Sequence, residues 1–177
     1  VAKYYFNGNA NDESIYANNG TVYGATLTED RDGNQNSAYE FNGTTDYIKV
    51  PNSSSLNILN SISICAWFKT ADPDIYPDAN GGFLVSKAYT NGSRAYTLVA
   101  NDSTLGDSIV FQLFDNNNIQ HRTSKYSSYY VNKWQFLVAT YNYTTGITNI
   151  YINGLLVTTK SVGQFNIKQT TVPLSIG

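Results

Sequence analysis

The chain of 177 residues has no methionine, one cysteine, one histidine and few charges. Each scarcity removes a class of function. Eleven basic side chains stand against thirteen acidic ones, a net charge of −2, so no basic field exists to hold a phosphate backbone and nucleic acid is not an expected partner. Cys65 cannot close an internal disulfide, and its apolar neighbours in Ser61–Phe68 lead us to expect a small buried side chain, not a reactive thiol. His121 has Gln120 and Arg122 beside it and no acid partner in sequence. We therefore expect it on a polar strand face, outside any serine or cysteine triad. One histidine and one cysteine also make a poor zinc site. No run approaches the ~20 apolar residues of a membrane-spanning helix, so membrane insertion is not expected. No signal peptide is legible, and the missing initiator methionine reads as a processed or excised product. No stretch keeps an apolar 3,4,7 spacing beyond about two turns, and no helix is expected.

What is present favours strands and turns. There are fifteen tyrosines and eight phenylalanines, with heavy use of Asn, Ser and Thr. Asn-Gly pairs at Asn7, Asn19, Asn42, Asn80, Asn91 and Asn153 punctuate short apolar runs, as in an all-β sandwich or barrel. The length suits one domain, 1–177, with a sizeable core.

In chain order, Val1–Phe6 reads as an aromatic strand, Asn7–Gly20 as an oxygen-rich loop and Thr21–Leu27 as a second strand. Ser37–Phe41, Asn42-Gly43 and Tyr47–Val50 read as strand, turn and strand, stopped by Pro51. Ile62, Ile64, Ala66 and Phe68 alternate in a core strand. Ala71–Gly82, with two prolines and Tyr76, reads as a functional surface loop. Four more strands are expected at Phe83–Lys87, Arg94–Ala100, Ser108–Asp115 and Ile119–Thr123. The strongest pattern is Val131–Thr159. There Trp134–Tyr143 alternates, Thr144-Thr145-Gly146 turns the chain, and Ile147–Ile152 returns to Asn153-Gly154, the pair suited to a type I′ turn, before Leu155–Thr159.

Four motifs carry a family resemblance: the Asn-Ala-x-Asp loop at Asn9–Asp12, Phe41–Gly43, Asp46–Ile48, and the Trp134 strand with its Tyr-x-Asn-Gly hairpin. They resemble the laminin-G-like, concanavalin A-type lectin/glucanase jelly rolls of many secreted bacterial proteins, over most of the chain. The resemblance implies an all-β, two-sheet antiparallel jelly-roll sandwich from a secreted or cell-surface protein. In that family a closing strand follows the segment matching Pro173–Gly177. Without it, a strand at Tyr4–Phe6 is an open edge, for which we expect strand exchange or edge pairing with a partner chain.

The resemblance also frames the chemistry. Glucanase relatives carry a Glu-x-Asp-x-Glu pattern, because glycoside hydrolysis needs paired carboxylates about 5 to 9.5 Å apart. This chain has glutamates only at Glu13, Glu29 and Glu40, so no enzyme is expected. Asp30–Asn34 begins like an EF-hand loop but has Gln35 and Phe41 where Gly and Glu are required. The family's structural calcium ion maps onto Asp12, the carbonyl of Gly43 and Asn18 or Asp46, the alternative being simple Asx turns. A sugar site needs an exposed ring beside polar side chains. Trp67 and Trp134 fall at core phases, which leaves Tyr76, Tyr89 near Arg94, Tyr126, Tyr129 and Tyr130, each with packing as its alternative. The expected function is a non-catalytic module binding a glycan or cell-surface ligand. An adhesion or spacer domain binding protein is the rival.

Overall fold

Thirteen strands form among the residues that the computed structural model describes: 1–70, 82–89, 92–102, 108–126 and 132–177. They are β1 (Thr21–Tyr23), β2 (Thr26–Thr28), β3 (Ala38–Glu40), β4 (Tyr47–Val50), β5 (Ile62–Phe68), β6 (Gly82–Ala88) and β7 (Arg94–Asp102). β8 (Ser108–Phe114), β9 (Gln120–Tyr126), β10 (Gln135–Asn142), β11 (Ile147–Ile152), β12 (Leu155–Ser161) and β13 (Leu174–Ile176) complete them. Among the described residues the one helical element is a 3-10 turn at Ser54–Leu56. No helix there is long and apolar enough to cross a membrane.

Every ladder is antiparallel. One sheet has the order β1-β4-β13-β6-β7-β8-β9 and a smaller one β12-β11-β10-β5, with β2-β3 as a separate pair. Apolar side chains on alternate positions of the two main sheets meet face to face: Leu98, Phe111 and Leu113 from the larger, Leu137, Ala139 and Ile150 from the smaller. Thr123 and Thr148 hydroxyls lie 2.5 Å apart between them. The two named turns form as read. Asn153 and Gly154 take φ of 50° and 83°, the two positive values a type I′ turn needs. Gly146 has φ +65°, and a Cβ there would sit 2.6 Å from the carbonyl carbon of Gly163, so only glycine fits that crossing.

Several expectations change. Val1–Phe6 alternates in burial but forms no strand: the Lys3 N–H donates to Asp12 Oδ1, the Lys3 carbonyl accepts the Glu13 N–H, and Phe6 takes φ 59°. The open edge expected at Tyr4–Phe6 is therefore not a strand edge. Thr21–Leu27 breaks at Gly24 (φ +76°) into β1 and β2. Asn42-Gly43 is no hairpin turn: β3 pairs with β2, while β4 pairs with β1 and β13. The cause is local, since Asn42 Oδ1 accepts the N–H groups of Thr44, Thr45 and Asp46 and rolls the chain from one sheet to another.

Two core assignments also change. Cys65 is exposed, and Trp67 is 44% exposed. In β5 the inward phase belongs to Ile62, Ile64, Ala66 and Phe68, so Cys65 and Trp67 point outward, where Trp67 packs on Phe136 and under the Arg31 guanidinium. Trp134 precedes β10, whose buried phase is Gln135, Leu137, Ala139 and Tyr141.

β5 is an edge strand. The Asn153 N–H donates to the Phe136 carbonyl, so even-numbered residues of β10 exchange bonds with β11 and odd-numbered ones with β5. Ser63, Cys65 and Trp67 consequently turn their backbone N–H and C=O groups toward the open side.

Candidate functional site

Among the described residues, two open recesses lie at loops that end these strands. The first, about 320 Å³, is lined by Tyr16, Asn18, Asn19, Asn52 and Ser53 among others. Behind it lies Asp12, 6% exposed. Its Oδ1 accepts the N–H groups of Lys3 and Ser14, and its Oδ2 accepts the Asn18 N–H and the Ser14 hydroxyl, at 2.8 to 2.9 Å. Burial alone would raise this carboxyl, but those donors hold it down to about 2. The recess lining is equally occupied. Asn18 Oδ1 accepts the Ser53 and Ser55 hydroxyls, Asn19 Oδ1 accepts the Asp12 N–H, and Asn52 Oδ1 accepts the Lys87 ammonium at 2.7 Å. Lys87, with no exposed surface, also donates to the Val172 carbonyl, and burial lowers its pKa to about 8.

Of the residues expected to hold calcium, Asp12 and Asn18 are therefore brought together. Gly43 and Asp46 belong to the separate Asn42–Asp46 loop, where Asp46 Oδ2 accepts the Asn42 N–H and Oδ1 faces Gly24. No hydrogen bond among the described residues joins the two pairs. Calcium takes six to eight oxygen ligands, and Asp12, holding four donors, does not fit that role as it stands. No three His, Cys, Asp or Glu side chains cluster as a metal site among the described residues.

The second recess, about 380 Å³, is lined by Asn57, Ser93, Lys168, Gln169, Thr170 and Thr171. A strap at residues 167–171 builds its wall. The Ile167 N–H donates to Leu59, and the Lys168 N–H to Phe114, both at 2.7 Å. The Lys168 ammonium donates to the Gly92 carbonyl and to Asn118 Oδ1. Opposite the strap is the end of the β6–β7 hairpin, where the Tyr89 N–H donates to the Ser93 carbonyl. Tyr89 is 61% exposed, and Arg94 stacks its guanidinium 5.6 Å from the Phe114 ring. Here two buried polar atoms have no partner: Asn57 Oδ1 and Thr170 Oγ1.

Tyr89 and Arg94 both lie at the end of the β6–β7 hairpin, but neither lines this recess, which is formed by Asn57, Ser93, Lys168, Gln169, Thr170 and Thr171, residues for which the sequence carries no periodic signal. Tyr126 is 65% exposed but pairs with Ser108 at the far end of the same sheet, about 20 Å from Arg94 at strand rise. Tyr76, Tyr129 and Tyr130 lie outside the described residues. His121 does acquire an acid partner, Asp115 Oδ2 at 3.3 Å, and its ring stacks on Phe165. No serine or cysteine is hydrogen-bonded to it among the described residues.

Two facing antiparallel sheets packed on a shared apolar core define a lectin-type jelly-roll sandwich. The family model of the concanavalin A-like lectin/glucanases superfamily, laminin-G type, matches residues 42–177, and the chain belongs to that family. No curated protein matches it. Among solved structures, it is similar to the botulinum neurotoxin serotype D binding domain (TM-score 0.67, 22% identity, covering 94% of this chain and 40% of that one). It is also similar to the binding domain of Paraclostridial Mosquitocidal Protein 1 (0.64, 17%, 93% and 41%). A third is botulinum neurotoxin type C (0.59, 19%, 94% and 39%), whose cell entry is described as dependent upon interaction with two ganglioside molecules. At these identities the likeness is one of fold. The chain spans about 40% of the length of these solved chains.

Proposed function

We propose that the chain is a non-catalytic, carbohydrate-binding module of an extracellular or cell-surface protein. One observation supports this reading: Tyr89, 61% exposed, is tied by its N–H to the carbonyl of Ser93, a residue that lines a recess together with Lys168 and Thr170. A ring to stack on the apolar face of a pyranose, beside hydroxyl and amide groups for its edges, is what a sugar requires. The gangliosides named for the type C toxin make glycans a reasonable ligand class to test.

A glycan array probed with the intact chain tests the proposal. Tyr89→Ala is expected to weaken the best hits at least about tenfold, the range of an aromatic anchor, while Tyr126→Ala, at the other end of the sheet, leaves them unchanged. A protein-binding adhesion or spacer domain gives no glycan hits at all. Calcium enters by the same assay and by melting with calcium and then chelator. A calcium ion bound at Asp12 must displace donors already in place, and a rise in melting temperature with calcium would show that it does. A partner strand, in this reading, adds to β5 and not to residues 1–6. Solution scattering that stays monomeric at high concentration would remove that element.

A further inference from the structure

The two main sheets end in β1, β9, β12 and β5, and the first three carry the features that keep an edge from pairing with another chain. β1 has only three residues. β9 holds Arg122 and Lys125. β12 holds Lys160 and meets β11 through a register shift at Ile150 and Tyr151, and the Lys160 ammonium donates to the Arg122 carbonyl of β9. Short length, charge and bulges are the ordinary protections of an exposed strand. β5 has none of them. It runs seven residues, Ile-Ser-Ile-Cys-Ala-Trp-Phe, with no charge, no proline and no shift against β10. Ser63, Cys65 and Trp67 are exposed, and no backbone hydrogen bond among the described residues reaches them on the open side.

Such an edge accepts an extended strand, and the residues of β5 suit β5 itself. In the antiparallel register that pairs the whole of Ile62–Phe68, Cys65 lies opposite the partner's Cys65. Ser63 then lies opposite the partner's Trp67, and Ile64 opposite the partner's Ala66, so a small side chain meets a large one on both faces. Lys69 falls opposite the partner's Ser61, and no like charges meet. Sliding either way by two residues, the least that keeps each face matched, leaves two residues of each strand outside the pairing. We infer that the β5 edge binds a second copy of this chain, antiparallel about Cys65, and joins two four-stranded sheets into one. This names the partner for the edge-pairing element of the reading above, on which it rests, and is independent of the carbohydrate element. The outer face gains by it as well. Trp67 packs on Phe136, and Cys65 is level with Val138, Tyr151 and Leu156 on successive strands, so pairing makes this apolar row continuous across both copies.

The single cysteine reports the register. Opposed residues in a hydrogen-bonded antiparallel pair have Cα atoms ~5.5 Å apart, inside the ~4.4–6.8 Å span of a disulfide. The intact chain is expected to sediment as a monomer–dimer equilibrium. Diamide, which takes up the two electrons and two protons released by a pair of thiols, or dibromobimane, a short thiol-to-thiol linker, should join the copies through Cys65 in proportion to the sedimenting dimer. Cys65→Lys puts a charge from each copy at the two-fold axis, on an exposed position. It should raise the dimer dissociation constant tenfold or more and leave the melting temperature of the dilute chain unchanged; Ser63→Lys is the second variant. Cys65→Ser should keep the dimer and lose only the link. A chain that stays monomeric at millimolar concentration overturns the inference, whatever other strand the edge accepts. A dimer that survives both lysine variants, or that neither reagent links, uses another surface or register and overturns it too. The glycan array decides the carbohydrate element alone; sedimentation and the thiol link decide this one.

Discussion

The recess beside Asp12, which includes Tyr16, Ala17 and Pro51, and the one lined by Asn57, Ser93 and residues 168–171 differ in how the polar atoms around them are used. Around Asp12, every acceptor named above has a donor from within the chain. Between the hairpin and the strap, two buried atoms have none. A satisfied network ties the first twenty residues, which contain no strand, to the sandwich, whereas each unpaired buried atom carries an uncompensated desolvation cost. Asn and Ser in a loop are therefore uninformative by type alone. What separates the two regions is whether their hydrogen bonds close internally.

Mutation can break or sharpen that contrast. The largest effect is expected at Asp12: Asp12→Ala strands four donors and should cost about 3 kcal/mol or more, lowering the melting temperature by at least about 6 °C. Glycan binding by the remaining folded protein should be unchanged. The same network has a pH signature. Because the Asp12 carboxyl is lower in the folded chain than in the unfolded one, near 3.9, its contribution is fully present above about pH 4. It is lost as pH falls toward about 2, so the acid arm of a wild-type stability curve should be steeper there than that of Asp12→Ala.

A smaller but sharper comparison deletes one hydroxyl from each recess. Ser53→Ala removes a bond to Asn18 while Ser55 remains, and should lower stability by about 1 kcal/mol, or roughly 2 to 4 °C. Thr170→Val removes an unpaired hydroxyl and should leave the melting temperature equal or higher by a similar amount. Opposite signs in parallel thermal melts would establish the difference; equal losses would erase it.

Much of the scaffold was legible in the residues. Val131–Thr159 gave β10, β11, β12 and both turns, because period-two alternation and Asn-Gly chemistry act locally. Where both faces of a strand are apolar the phase is ambiguous, and this is why Trp67, Cys65 and Trp134 were placed inward. Residues 1–6 look like a strand because they alternate, but a strand also needs a ladder partner, and the Lys3 backbone is committed to Asp12 and Glu13 instead. The recess was not legible. Tyr89 and Arg94 stand out as candidates by residue type, but neither lines it; Lys168-Gln169-Thr170-Thr171 is a short polar run without period, and β13 after it has only three residues. Nothing local says that Thr170 is buried with its hydroxyl unpaired, since that depends on the β6–β7 hairpin some 80 positions earlier in the chain.

The edge position of β5 has a consequence for exchange with solvent deuterium. Amides of Ile64 and Ala66 are bonded to Ala139 and Leu137 across the β5–β10 ladder of the smaller sheet, and should exchange only when that ladder opens. Those of Ser63, Cys65 and Trp67 face outward from the same strand and should exchange orders of magnitude faster. A single strand would then carry a tooth-like pattern of fast and slow amides, and any chain that zipped onto it would be visible first as the loss of that pattern.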